Sequence, residues 1–284
     1  GRDRWRTFKC EERIRSVNLG GTAVGTGLAA PREYIFRVTD RLRDLTRYPL
    51  ARAENLVDAT ANTDSFVEIA GILSAFASNL IKEARDLRML AHEGEIALSA
   101  IQAGSSIMPG KVNPVVCEAV IQAGMRAQAS LTLVGTAAAH GTLQINEYLP
   151  LVADSLLESL DLIIASSLSL AACVNLVTAD EARCAATLGA NPVIVTAFLP
   201  YIGYAGAEAL LAEYHESHGS HPAVTSHAAD SSHPAESLHP ANGLTVRQFL
   251  EAKLGKSLVD RVLSGDALSA LGFPESARQK GDTE

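Results

Sequence analysis

The chain has 284 residues, of which 47% are hydrophobic, 20% charged and only 5% aromatic, with a net charge of −8. Length and composition fit a soluble globular protein of one or two domains with a core of Leu, Ile, Val and Ala. The acidic balance argues against nucleic acid as a partner.

The charge is uneven along the chain. Residues 1–52 carry twelve Lys/Arg against six Asp/Glu, and the remainder carries twelve against twenty-six. The basic opening (Arg2, Arg4, Arg6, Lys9, Arg13, Arg15) reads as a solvated helix face. Gly1-Arg2-Asp3-Arg4-Trp5-Arg6 is charged from the start and lacks the pattern of a signal peptide. With no initiator Met and a helical opening, the chain reads as a piece of something longer. Asn18–Gly27 holds four glycines, at positions 20, 21, 25 and 27. A phosphate cradle, a close helix–helix contact and a loop approaching a ligand all fit that density.

Prolines then divide the sequence. None lies from Leu50 to Met108, from Val115 to Leu149, or from Leu151 to Asn191. Because proline costs about 3 kcal/mol inside a helix, such stretches permit long helices. Periodicity places them. Phe66, Ile69, Leu73, Phe76, Leu80, Ala84 and Leu87 recur every three to four residues, as do Leu156, Leu160, Ile163, Ser167 and Leu170. The fold class is all-α: a long-helix bundle over residues 1–183 and a smaller helical domain over 184–284. The apolar runs are broken by polar residues before about 18 positions, so no membrane span is expected.

Cys10, Cys117, Cys173 and Cys184 have no CxxC spacing and read as reduced thiols of a cytoplasmic protein. Residues 215–243 hold six of the eight histidines and three His-Pro-Ala repeats. Sparse in apolar residues and without helical period, they read as a loosely ordered insert. His215, His218 and His221 are spaced for a metal, but Gly219 and Pro222 oppose the helix that would align them, and no metal site is assigned. Residues 244–250 and 257–263 resume helical patterning.

One segment carries chemistry. Gly104-Ser105-Ser106-Ile107-Met108-Pro109-Gly110-Lys111-Val112-Asn113-Pro114 is an irregular polar loop between long helices. Ser105 offers a hydroxyl that can act as a base if backbone N–H groups stabilise its oxyanion. Lys111 supplies positive charge for an anionic substrate, and Asn113 supplies both donor and acceptor. A plainer reading makes the serines turn residues, Lys111 a solvated charge and Asn113-Pro114 a helix start.

This loop resembles the signature Gly-Ser-Ser-x-Met-Pro-x-Lys-x-Asn of the fumarase/aspartase superfamily. Residues 17–28, 54–60, 141–146 and 199–204 resemble further family segments; residues 54–60 and 102–104 are closer to the ammonia-lyase branch than to the fumarases. The resemblance implies a helical bundle joined into a homotetramer, with active sites shared between subunits. It implies reversible deamination of L-aspartate to fumarate and ammonia, with Ser105 as the base that removes the Cβ proton. Lys111 and Asn113 would hold the substrate carboxylates, Ser106 and Met108 would line the pocket, and Glu118 would be a catalytic carboxylate paired with a histidine. The small dicarboxylate would be the partner, with no metal or organic cofactor required. Fumarate hydration is the alternative within the class, and a catalytically incomplete helical oligomerisation fragment the alternative outside it. Two further family segments, one of them Gly-Arg-Thr-His, are not present in these 284 residues. The turn before Gly94 is shorter than the family's, and Ser99 stands at a common proline.

Overall fold

The Pro-free stretches fold as helices. The computed structural model describes residues 1–101, 107–108, 110–218 and 244–272. These divide into two units, Gly1–His92 with Ile96–Thr178, and Glu93–Glu95 with Ala179–Glu284. The all-α class holds, with strands only two residues long.

The first unit contains α1 (Arg2–Cys10), α2 (Arg32–Thr46), α3 (Leu56–Ala61), α4 (Asp64–His92), α5 (Val115–Ala139) and α6 (Leu149–Val174). Ser16–Val17 (β1) pairs in parallel with Ala51–Arg52 (β2). The glycine-rich segment between β1 and α2 is a close backbone contact. Gly25, at φ +82, lies so near α3 that a Cβ there would stand 2.3 Å from the Leu56 carbonyl oxygen. Thr22 and Thr26 spend their hydroxyls locally, on the carbonyls of Leu28 and Ala23.

Helices α4, α5 and α6 carry the core. Leu73, Ala77, Leu80 and Ala84 of α4 meet Cys117, Val120, Ala127, Leu131 and Val134 of α5 and Val152, Leu156, Ile163 and Leu170 of α6. The predicted α4 face is the buried one, with Phe66, Phe76 and Leu87 partly buried at its edges. Helices α5 and α6 meet along small residues: Ser155, Ser159 and Ser166 are buried, and Ser159 donates to the Ser155 carbonyl at 2.7 Å. Back-bonding of this kind lets serine line a tight helix contact without an unsatisfied hydroxyl. On the same pair of helices, Arg126 forms a two-pronged bond to Glu158 (3.1 and 3.2 Å), which also accepts from Ser130 at 2.7 Å.

The turn from α5 to α6 is fixed by Asn146, only 4% exposed. Its amide donates to the carbonyls of Ala137 and Ala138 and to Thr63 Oγ1, and its oxygen accepts from the Tyr148 N–H. One side chain thereby satisfies the C-terminus of α5, the start of α6 and the entry to α4.

The second unit contains α7 (Glu181–Ala190), a 3₁₀ segment (Pro192–Phe198), α8 (Leu199–His218), α9 (Val246–Leu254), α10 (Lys256–Val262) and α11 (Gly265–Ser269). Phe198, Val246, Leu250 and Val259 are its most buried residues. Helix α9 begins with a capping box in which Thr245 and Gln248 satisfy each other's backbone N–H groups. Arg247 pairs with Glu251 of its own helix (2.9 Å) and bridges to α10 through Asp260 (2.6 Å).

The expectation that the apolar runs are too interrupted to suit a membrane span is corrected. Asp64–His92, Leu149–Val174 and Pro192–Ser217 are long and apolar enough to cross a membrane by length and composition. The reason is visible in α6: from Leu162 to Val174 it carries no charge, and its serines lower the mean hydropathy only slightly.

Candidate active site

The signature loop enters α5. Ser105 and Ser106, with Gly104 and Pro109, lie outside the described residues. The second half of the loop is described. Gly110 sits at φ +81, a conformation that glycine adopts at no steric cost, in a turn closed by the Lys111 N–H to the Met108 carbonyl at 3.2 Å. Asn113 is half-buried, and its carbonyl accepts from the Val115 N–H at 2.8 Å. Pro114 is the N-cap of α5, where a missing N–H costs nothing, and its carbonyl accepts the first helical bond from Glu118 at 3.1 Å. The helix start read from Asn113-Pro114 is therefore present, and the turn that precedes it leaves Lys111 exposed and Met108 47% exposed.

Glu118 lies in the first turn of α5, where the helix dipole favours a carboxylate. Its partner is a residue the sequence did not disclose: Arg88, near the end of α4, places Nη2 at 3.8 Å from Glu118 Oε1. The pairing with a histidine implied by the resemblance is not made within the described residues. His140 is the C-cap of α5, and its Nδ1 lies 2.7 Å from the Thr136 carbonyl. That places it at the far end of the helix from Glu118.

Beside Glu118, Cys117 is fully buried. Burial pushes its thiol up to about 11; the neighbouring Cys173 thiol adds to this, and Arg88 opposes it. Such a thiol stays protonated and unreactive at neutral pH. A groove of about 390 Å³ runs between α5 and α6, lined by Ile101, Val115, Val116, Ala119, Leu162 and Ser166 among others. It presents no charged side chain and so does not suit a dianion. Among the described residues no cluster of three His, Cys, Asp or Glu is arranged to hold a metal ion.

A family model described as Lyase matches residues 2–129. The aspartate ammonia-lyase of Bacillus subtilis (strain 168) is 36% identical over 218 residues, covering 75% of this chain and 46% of that protein. The aspartate ammonia-lyase of Pseudomonas fluorescens is 40% identical over 202 residues, covering 69% of this chain and 42% of that one. Among solved structures, a fumarate lyase:delta crystallin from Brucella melitensis bound to cobalt superposes with a TM-score of 0.76 at 34% identity, over 95% of this chain and 55% of that one. A class II fumarase from Schistosoma mansoni superposes with a TM-score of 0.66 at 27% identity, over 75% of this chain and 50% of that one. The long-helix bundle with a polar loop feeding α5 is thus a lyase-type helical fold. The chain belongs to the fumarase/aspartase superfamily. It spans less than half the length of the curated relatives it matches.

Proposed function

We propose that this chain carries the base-bearing part of an ammonia-lyase that converts L-aspartate reversibly to fumarate and ammonia. The observation that carries the reading is the loop 104–114, set at the N-terminus of α5 in a chain 36–40% identical to aspartate ammonia-lyases. In this mechanism the Ser105 oxygen takes the Cβ proton. The electron pair moves into the neighbouring carboxylate, giving an aci-carboxylate dianion held by Lys111 and Asn113. The Cα–N bond then breaks, ammonia leaves and fumarate remains. Lys111 offsets the added negative charge, and Asn113 fixes a carboxylate by donating to it. Ser106 and Met108 line the pocket.

The same reading makes the protein a homotetramer with sites assembled from several subunits. Helix α6 supports this with an exposed apolar stripe at Leu157 (62%), Ile164 (55%) and Leu168 (68%), more than a single helix face leaves to solvent without a partner. The histidine for Glu118 would then come from another subunit.

A second reading, fumarate hydration, is favoured by the similarity to a class II fumarase. A third, a helical assembly role without activity, would rest on the exposed apolar stripe of α6 alone. Parallel assays separate them: ammonia release from aspartate supports the first, malate formation from fumarate the second, and a tetramer that performs neither the third.

A further inference from the structure

Several cations of the first unit are paired with carboxylates close by in the chain. Arg6 with Asp3, Lys9 with Glu12, Arg15 with Glu11, Arg43 with Asp40 and Lys82 with Asp86 are all three or four residues apart. Arg88 has no such option. Its neighbours at those spacings are Ala84, Arg85, Ala91 and His92, and none is acidic. Its guanidinium instead crosses from α4 to α5 and faces Glu118 at 3.8 Å, in the turn that follows the signature loop. Arg88 also acts on Cys117, the residue before Glu118, so its charge is felt at the start of α5 rather than along α4.

The position matters because Glu118 is itself a problem for a site that takes a dicarboxylate. A bare carboxylate in the first turn of the helix that Lys111 and Asn113 precede repels the ligand those residues would hold. The contact is an ion pair too long for a tight hydrogen bond. Glu118 Oε2 has no hydrogen bond among the described residues, so the carboxylate keeps acceptor capacity for another group.

We infer that Arg88 is a positioning residue: it holds Glu118 toward α4 and cancels its charge, so that a dicarboxylate meets a net positive loop. The inference rests on the lyase reading for its ligand, fumarate.

The test is fumarate binding to the 284-residue chain by calorimetry, with thermal unfolding as a control on folding. Arg88→Met keeps the apolar stem and removes the charge. It should weaken fumarate binding about two- to fivefold, the scale of a partly exposed ion pair, and Arg88→Lys should restore it. In a Glu118→Gln background the Arg88→Met substitution should change nothing, because there is no charge left to cancel. Unchanged binding in Arg88→Met overturns the inference. So does an equal loss in the Glu118→Gln background, which would make Arg88 a direct ligand contact, and so does an equal loss in Arg88→Lys, which would make the role one of packing. If the unsubstituted chain binds no fumarate, the lyase reading fails and the inference falls with it.

Discussion

Asn146 ties the start of α4, the end of α5 and the start of α6, and its replacement measures how far that hub sets the stability of the bundle. The side chain is 4% exposed and makes contacts of 3.1 Å to the Ala137 carbonyl, 3.3 Å to Ala138, 3.3 Å to Thr63 Oγ1 and 2.9 Å from the Tyr148 N–H. In Asn146→Ala, the Ala137 carbonyl keeps its bond from the His140 N–H, so the losses fall on Ala138, Thr63 and Tyr148. At about 1 kcal/mol for each net bond, the expected cost is roughly 2–3 kcal/mol. For a unit of this size that lowers the unfolding midpoint by about 5–10 °C, read by circular dichroism. Asn146→Asp sharpens the test. It keeps the acceptor for Tyr148 but turns an oxygen toward two carbonyls, so the folded state favours the protonated acid. Its folded pKa then lies above the unfolded one. The variant is therefore least impaired below the ordinary aspartate range and loses stability as pH rises through it. A stable Asn146→Asp protein at pH 7, or one that weakens toward low pH relative to the unsubstituted chain, would refute this account of the turn.

Other outcomes follow from the same structure. Leu73, 1% exposed at the centre of α4, should cost about 3 kcal/mol when cut to alanine, measured by urea unfolding; a loss under 1 kcal/mol would place it outside the core. The Glu158 carboxyl is held below its ordinary value by the Ser130 hydroxyl first and by Arg126 second. Its contribution to stability is present above the ordinary glutamate range and is lost as pH falls through the lowered value. Carbon-13 NMR titration should therefore show the Glu158 pKa rising in Ser130→Ala, and an unchanged titration would discount the hydroxyl. At pH 8 a thiol reagent should label the half-buried Cys184 well before Cys117, whose labelling should wait for unfolding.

The helices were legible because their signals are local. Missing prolines and a 3.6-residue period in α4 sufficed to name the face that is buried, since Ile69, Leu73, Leu80 and Ala84 all obey it. The α5–α6 seam was not legible. Ser155, Ser159 and Ser166 look like surface residues until a neighbouring helix comes close enough to bury them, with the Ser159 hydroxyl bonding the preceding turn. The same serines hid the long apolar character of α6. Asn146 was visible only as part of a resembling segment, because its value comes from three elements meeting in space. The Arg88–Glu118 contact joins residues thirty positions apart, and neither position has a pattern that points to the other. The helix start that follows the signature loop was readable from Asn113-Pro114.

The most direct test of the central claim is ammonia and fumarate formation from L-aspartate by this chain and by its Ser105→Ala variant, with malate assayed in parallel. The account predicts ammonia and fumarate in equal amounts, reduced about a hundred- to ten-thousand-fold in Ser105→Ala. Turnover that survives the loss of Ser105, or malate turnover with no ammonia released from aspartate, would contradict it.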